Sequence, residues 1–404
     1  MTLIVKSTLE DRASASSKQD HGFLRTVVIF ATVAILGAFG WSGHSSLNCL
    51  ALLYPFVYLQ SQRRLDTLSA AFYYAGATWS VIPASRDFFA TGANPTKPFL
   101  MWLALVLLSS LPWFVLYSCR FLPLSAIGAL ILTALPPLGL VTVAHPIIAA
   151  GSWFPGTRWF GLGLPLVLLS CYRRLGIVVC LAVLSAASVI DHIRFHRPTQ
   201  AVDIVAINTQ FGHTAAVQLG LDSQARELAL QQIVLAHPNA LVLLPESILP
   251  GWSSIHEARW SGTFAQLREQ HTGLLLGTSL PIPHSNANRN ILLSRGYTEH
   301  LSYVQRVPVP MGMWYIGAKQ SGYPLMLDFP PTIHVWNRRA GVLICYEQLL
   351  VWPALQSLGR NPDMLFAPSN LYWAARTPIP AIQHVAAQDW ADLWDIPLYE
   401  ASNR

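Results

Sequence analysis

The sequence predicts a polytopic α-helical membrane bundle of about seven spans followed by an α/β domain. Two observations predict it. Only 11% of the 404 residues are charged, where a soluble protein carries about 25%, and the deficit lies between residues 24 and 193. From residue 199 onward, apolar strand-like runs alternate with helical segments at ordinary charge density, the pattern of a buried sheet covered by helices.

Crossing a bilayer takes about 20 apolar residues in a helix. Seven stretches approach that length: 24–43, 46–61, 67–84, 99–118, 121–143, 154–171 and 175–191. The second and sixth are short or interrupted by Pro and Gly. A cleaved leader would explain only the first, and "AFGWSGHSS" is a poor small-residue cleavage site. A soluble α-domain does not account for so many consecutive apolar runs.

Basic residues set the expected orientation. Lys6, Arg12, Lys18 and Arg25 stand at or before the start of the first stretch. Arg63 and Arg64 follow the second, Arg120 the fourth, and Arg173 and Arg174 the sixth. The alternate loops hold Arg86 with Asp87, Lys97 and Arg158. Cytoplasmic loops collect Lys and Arg. Residues 1–23 are therefore expected as a cytoplasmic tail, 24–193 as the bundle and 199–404 as a domain in the periplasm, outside a bacterial inner membrane. Membrane lipids are the bundle's expected contacts. The net charge of +6 is mostly this loop bias, so no direct nucleic-acid binding is expected.

In the outer domain, "AVDIVAINTQFG", "PNALVLLPES", "TGLLLGTSLP", "RNILLSRG" and "PDMLFAPSN" read as strands, and "HVWNRRAGVLICYE" as two strands joined by a basic turn. Helices are expected over "SQARELALQQIVLAH", with Ser223 as N-cap, over "VWPALQSLG" and over "IPAIQHVAAQDWADLW". No Gly-rich phosphate loop, CxxC pair or ligand spacing among the histidines points to a cofactor or metal.

Cys345 is the only cysteine after residue 199; Cys49, Cys119, Cys171 and Cys180 lie in the apolar half. A lone thiol outside the cytoplasm has no partner for an internal disulfide, so it is either an inert core residue or kept for its chemistry. Its neighbours bear on the choice. Three apolar runs end in polar residues: "LVLLPE" at Glu246, "VLICYE" at Cys345 and Glu347, and "MLFAPSN" at Ser369 and Asn370. Such strand ends converge in layered α/β domains. A thiol near its usual pKa of about 8.5 needs a base to take its proton, and an attacked carbonyl needs a cation or N–H donors for its oxygen.

"LVLLPES", "GVLICYEQLL" and "APSNLYW" resemble the three blocks of the nitrilase, or carbon–nitrogen hydrolase, superfamily. Behind seven spans, such a domain resembles the plan of apolipoprotein N-acyltransferases, and the whole chain resembles the TraB-type conjugal transfer proteins of rhizobial plasmids. The resemblance implies an αββα sandwich, with Glu246 as general base and Cys345 as nucleophile. Glu347 takes the place of the acid after the family cysteine. Asn370 and Trp373 fall in the family's "SNDxW" block, and "IQHVAAQ" resembles its "QHxxMAR" helix. It also implies partners among other conjugal transfer proteins.

The departures fall on the third member of the triad. In "YVQRVPVPMGMW" the family lysine position is Gln305 and the following glutamate is Met313. Lys319 is the only lysine in 199–404, which leaves Lys319 or the adjacent Arg306 as the cation. The Arg and Glu of the family's "RAxE" fall on Ala391 and Trp394. The chain ends at "PLYEASNR", where the acyltransferases continue through further strands and an eighth span, so a truncated sandwich with an open strand edge is expected. Two functions follow. One is a conjugal transfer factor whose nitrilase-like domain has lost part of its triad. The other is an active acyltransferase or amidase forming an acyl-thioester on Cys345, with a lipoprotein-like or peptide substrate. A transporter is a third class, but no intramembrane Asp, Glu or Lys marks a transport path.

Overall fold

The computed structural model describes residues 24–89, 94–118, 120–212, 221–298, 302–314 and 321–404. Lys6, Arg12, Lys18, Cys119 and Lys319 lie outside the described residues.

The first half is helical, but it does not contain seven full-length spans. Among the described residues, two helices are long and apolar enough to cross a membrane, Thr96–Val115 and Trp159–Arg194; Leu24–Gly40, Ser45–Tyr58 and Leu122–Ala134 are shorter apolar helices. The third expected span is two helices, Ser69–Thr78 and Val81–Phe88. The periodicity of apolar residues is blind to such breaks.

The helix Trp159–Arg194 is itself a hairpin. Gly176 stands inside it at φ 75, ψ 162, a conformation open to glycine without a Cβ penalty. Cys180 Sγ lies 3.6 Å from the Leu168 carbonyl oxygen, whereas twelve residues of straight helix span about 18 Å. The hairpin's feet meet the same part of the second half: Arg158 N–H donates to Leu393 O at 2.8 Å, and Arg197 forms a two-pronged ion pair with Asp392 at 2.9 and 2.6 Å. Arg173 and Arg174 sit at its turn. The exposed large apolar side chains of the molecule lie almost entirely between Leu24 and Ile193.

The second half is a mixed α/β sandwich. One sheet orders β1 (Ile204–Ala206), β2 (Leu241–Leu243), β3 (Gly273–Pro281), β4 (Asn286–Gly296) and β5 (Tyr303–Val304), with β6 (Ser321–Gly322) beside β4. The other orders β10 (Leu398–Asn403), β9 (Met364–Asn370), β8 (Arg338–Val342) and β7 (Thr332–Val335). Leu243, Leu275 and Tyr303 of the first sheet pack against Val342, Phe366 and Tyr399 of the second. Outside the first sheet, helices Leu221–Leu235 and Ser254–Glu269 bury Val234, Trp260 and Phe264 against it. Outside the second lie Val351–Leu358 and Ile379–Trp394, whose Trp390 and Trp394 also join the core of the helical half. The layer order is α-β-β-α.

Three local expectations change. Ser223 lies inside the helix Leu221–Leu235 rather than capping it. The helix Ser254–Glu269 and strand β10 were not expected. The edge of β10 is partly covered by the chain itself: Thr209 N–H donates to Ser402 O at 2.9 Å and Arg404 N–H to Thr209 O at 3.0 Å. A turn joins β7 and β8 as expected, but it is not the basic one: Trp336 and Asn337 form it at φ 48 and 63, the conformation of a two-residue hairpin, and Arg338 and Arg339 begin β8.

Candidate functional site

Strands β1, β2 and β3 run parallel, as do β8, β9 and β10. Their carboxyl ends bring Glu246, Cys345 and Asn370 together between the sheets. Glu246 follows β2 on a tight path: a Cβ added at Gly277 would sit 2.0 Å from Pro245 O and 2.6 Å from Glu246 Cα, so only glycine fits there. Cys345 opens the short helix Cys345–Leu349 at φ 50. A left-handed non-glycine residue costs about 1–3 kcal/mol and persists only where its surroundings over-determine it. Here they do. Gln383, from the "IQHVAAQ" helix, donates to Cys345 O and to Gln348 Oε1, both at 3.0 Å.

The Cys345 thiol and the Glu246 carboxyl lie close enough to shift each other's titration. Asn290 Nδ2 donates to Glu246 Oε1 at 2.6 Å, and the Asn370 backbone N–H donates to Oε2 at 3.1 Å. Glu246 and Cys345 are each 5% exposed. Burial pushes the Glu246 carboxyl up to about 7, against the pull of the nearby thiol and its amide donors. Burial and the Glu246 charge push the Cys345 thiol well above its usual range. A cavity of about 240 Å³ is lined by Gln348, Ser369, Gln383 and His384 among others, but by neither Glu246 nor Cys345.

Gln305 supplies no cation, and its amide is committed: Oε1 accepts from Asn290 Nδ2 at 2.8 Å and Nε2 donates to Ile344 O at 3.0 Å. Arg306 does not replace the lysine. Its guanidinium is fully buried and donates to Tyr303 Oη (2.8 Å), Gln356 Oε1 (2.9 Å), Pro353 O (3.1 Å), Val342 O (3.3 Å) and Ser357 Oγ (2.8 Å). None of these is the pair. Glu347, also fully buried, accepts from the N–H groups of Arg306 (2.7 Å), Val307 (3.1 Å) and Ile344 (2.8 Å), and its carboxylate lies 3.6 Å from Arg306 Nε. It thereby ties the segment after β5 to the cysteine turn.

Trp373 Nε1 donates to Asn370 O at 3.0 Å, and its ring meets Phe88 of the helical half edge-on at 5.2 Å. Met313 pairs through its backbone with Val309 and Tyr323. Ala391 and Trp394 are buried in the core shared with the helical half. Among the described residues no cluster of His, Cys, Asp or Glu could hold a metal ion. Sequence reading missed Asn290 and Asn403, each 2% exposed or less. Asn403 Nδ2 fixes Asn370 Oδ1 at 2.9 Å. The one signal for Asn290 is an amide standing directly before the apolar run "ILL" of β4.

The fold and site define a two-part protein: a helical half with apolar outer faces, joined to an α/β sandwich whose strand ends pair a buried carboxyl with a buried thiol. The chain is 30% identical over 404 residues to the "Probable conjugal transfer protein TraB" of Sinorhizobium fredii, a match covering 96% of this chain and 100% of that protein. It is 28% identical over 396 residues to "Conjugal transfer protein TraB" of Agrobacterium fabrum, covering 93% and 92%. The chain belongs to the TraB family of conjugal transfer proteins. No family model matches it. Among solved structures, an amidase from Nesterenkonia sp. is similar at 17% identity and a TM-score of 0.34, over 50% of this chain and 74% of that one. A mutant of that amidase with a covalent adduct on its active-site cysteine is similar at 15% identity and 0.34, over 52% and 79%. Likeness at that distance says nothing about chemistry.

Proposed function

We propose that the protein is an inner-membrane factor in conjugal plasmid transfer, and that its nitrilase-like outer domain retains a carboxyl–thiol pair without the cation of a working triad. Both relatives named above are conjugal transfer proteins, and other transfer proteins are its expected partners. Membrane residence is supported by Thr96–Val115 and by the apolar hairpin Trp159–Arg194, which leave most of their surface outside any core. Orientation is supported by contacts at one end of the bundle. Arg25 donates to Gln60 O, Gln60 Nε2 to Tyr172 Oη at 2.6 Å, and Arg64 lies 4.7 Å from the Phe114 ring centre. The other end packs on the sandwich through Arg158, Arg197 and Phe88. Basic residues at the end away from the sandwich fit a cytoplasmic tail and a periplasmic domain of residues 199–404.

One observation carries the loss of chemistry. The family lysine position is Gln305, whose amide is bonded at both ends. Losing a single oxyanion donor costs about 10²–10³ in rate, and here both the donor and the charge are gone. A second reading, an acyltransferase or amidase, is favoured by the closeness of the Cys345 thiol to the Glu246 carboxyl; it would draw its cation from Lys319. Labelling membranes with an alkyne fatty acid separates the two. Our reading expects no hydroxylamine-sensitive label on Cys345. A label on the wild type that Cys345→Ala abolishes would establish the thioester chemistry instead.

A further inference from the structure

We infer that Phe88 is a positioning residue through which the helical half sets the reactivity of the Glu246–Cys345 pair. The inference holds whether the pair is catalytic or vestigial.

Phe88 ends the helix Val81–Phe88. Its ring packs edge-on against Trp373, with 5.2 Å between centres and 80° between planes. On another side it fills the space over Gly312, where an added Cβ would sit 2.8 Å from Phe88 Cε1. Phe88 therefore wedges between two loops of the sandwich, the one after β9 and the one before β6. Trp373 transmits the contact. Its indole N–H holds the Asn370 carbonyl at 3.0 Å, and the N–H of the same residue holds Glu246 Oε2 at 3.1 Å. That N–H also faces the Cys345 sulfur. Four links thus join a helix of the apolar half to the buried thiol.

The Asn370 N–H favours the ionised forms of both Glu246 and Cys345. The charged or titratable groups facing Glu246 are Cys345, Glu347 and Tyr323. Glu347 is itself tied to Arg306. If Phe88 is removed, Trp373 loses its edge-on support and Asn370 its fixed carbonyl. The N–H then points at the carboxyl less of the time, and the proton leaves Glu246 at higher pH.

The test is the pH profile of Cys345 alkylation by iodoacetamide in the full-length protein in nanodiscs, quantified on the Cys345 peptide by mass spectrometry. Glu246 acts there as the base, so the rate climbs as its carboxyl ionises. Phe88→Ala is expected to move the midpoint upward by about one pH unit, the loss of one hydrogen bond to a charged group. Phe88→Leu, which refills the space, should bring it back. Trp373→Phe keeps the ring contact and removes the N–H, so it should shift the midpoint as Phe88→Ala does. Phe39→Ala, at an exposed aromatic of the same half, should leave it unchanged. Midpoints of Phe88→Ala and Trp373→Phe that coincide with the wild type overturn the inference, as does an equal shift in Phe39→Ala. If Phe88→Ala does not fold, Trp373→Phe decides alone.

Discussion

Replacing Glu246 by Gln turns the buried carboxyl into a measurable contribution to stability. Burial raises the group from 4.5 to about 7. Between those values the folded protein keeps a proton that the unfolded chain has released. Its contribution is therefore full below about 4.5 and is lost as pH rises through about 7. At about 1.4 kcal/mol per pH unit, the difference amounts to about 3 kcal/mol. Gln keeps the shape and a carbonyl acceptor for Asn290 but does not titrate. Asp389 and Glu347 are also raised by burial and act with the same sign, so the wild type alone would not isolate Glu246. The readout is the difference between the two proteins in urea unfolding of the full-length chain, followed by tryptophan fluorescence. Wild-type stability should fall relative to Glu246→Gln by about 3 kcal/mol between pH 4.5 and about 8. A difference that stays constant across that range would refute the reasoning.

Three further outcomes follow from the same geometry. Glu347→Ala strands the Arg306 guanidinium in the core and should destabilise by about 3–5 kcal/mol in urea unfolding. Gly277→Ala drives a methyl into Pro245 O and should cost about 1–3 kcal/mol while slowing Cys345 alkylation, because it displaces Glu246. Asp392→Ala removes a pair whose Arg197 side chain is 63% exposed; it should cost under about 1 kcal/mol, yet speed tryptic cleavage after Arg194, at the same foot of the hairpin.

The polar strand ends were legible because each interrupts a continuous apolar run: Glu246 after "LVLL", Cys345 after "VLI", Asn370 after "MLFAPS". The division into a helical and an α/β half was legible for the same reason, since charge density changes sharply near residue 199. The number of full-length spans was not. Apolar runs fix where a chain avoids water, but single residues fix where it bends: the third stretch breaks into Ser69–Thr78 and Val81–Phe88, whereas the turn at Gly176 falls close to the gap between the sixth and seventh stretches. The helix Ser254–Glu269 was hidden because its apolar face is only Trp260, Phe264 and Leu267 among charged neighbours. Arg306 was misjudged as a cation for the site because sequence adjacency to Gln305 does not show which partners a side chain takes. Adjacent residues here take different ones: Gln305 hydrogen-bonds Asn290 beside Glu246, and Arg306 bonds Tyr303 and the helix Val351–Leu358.

The central claim, that the protein serves plasmid transfer without thioester chemistry, is tested most directly by conjugation frequency in a deletion strain complemented with wild type or Cys345→Ala. Deletion should reduce transfer, and Cys345→Ala should restore it as fully as the wild type. Transfer by Cys345→Ala at the level of the deletion, with the protein still present in the membrane, would contradict that claim.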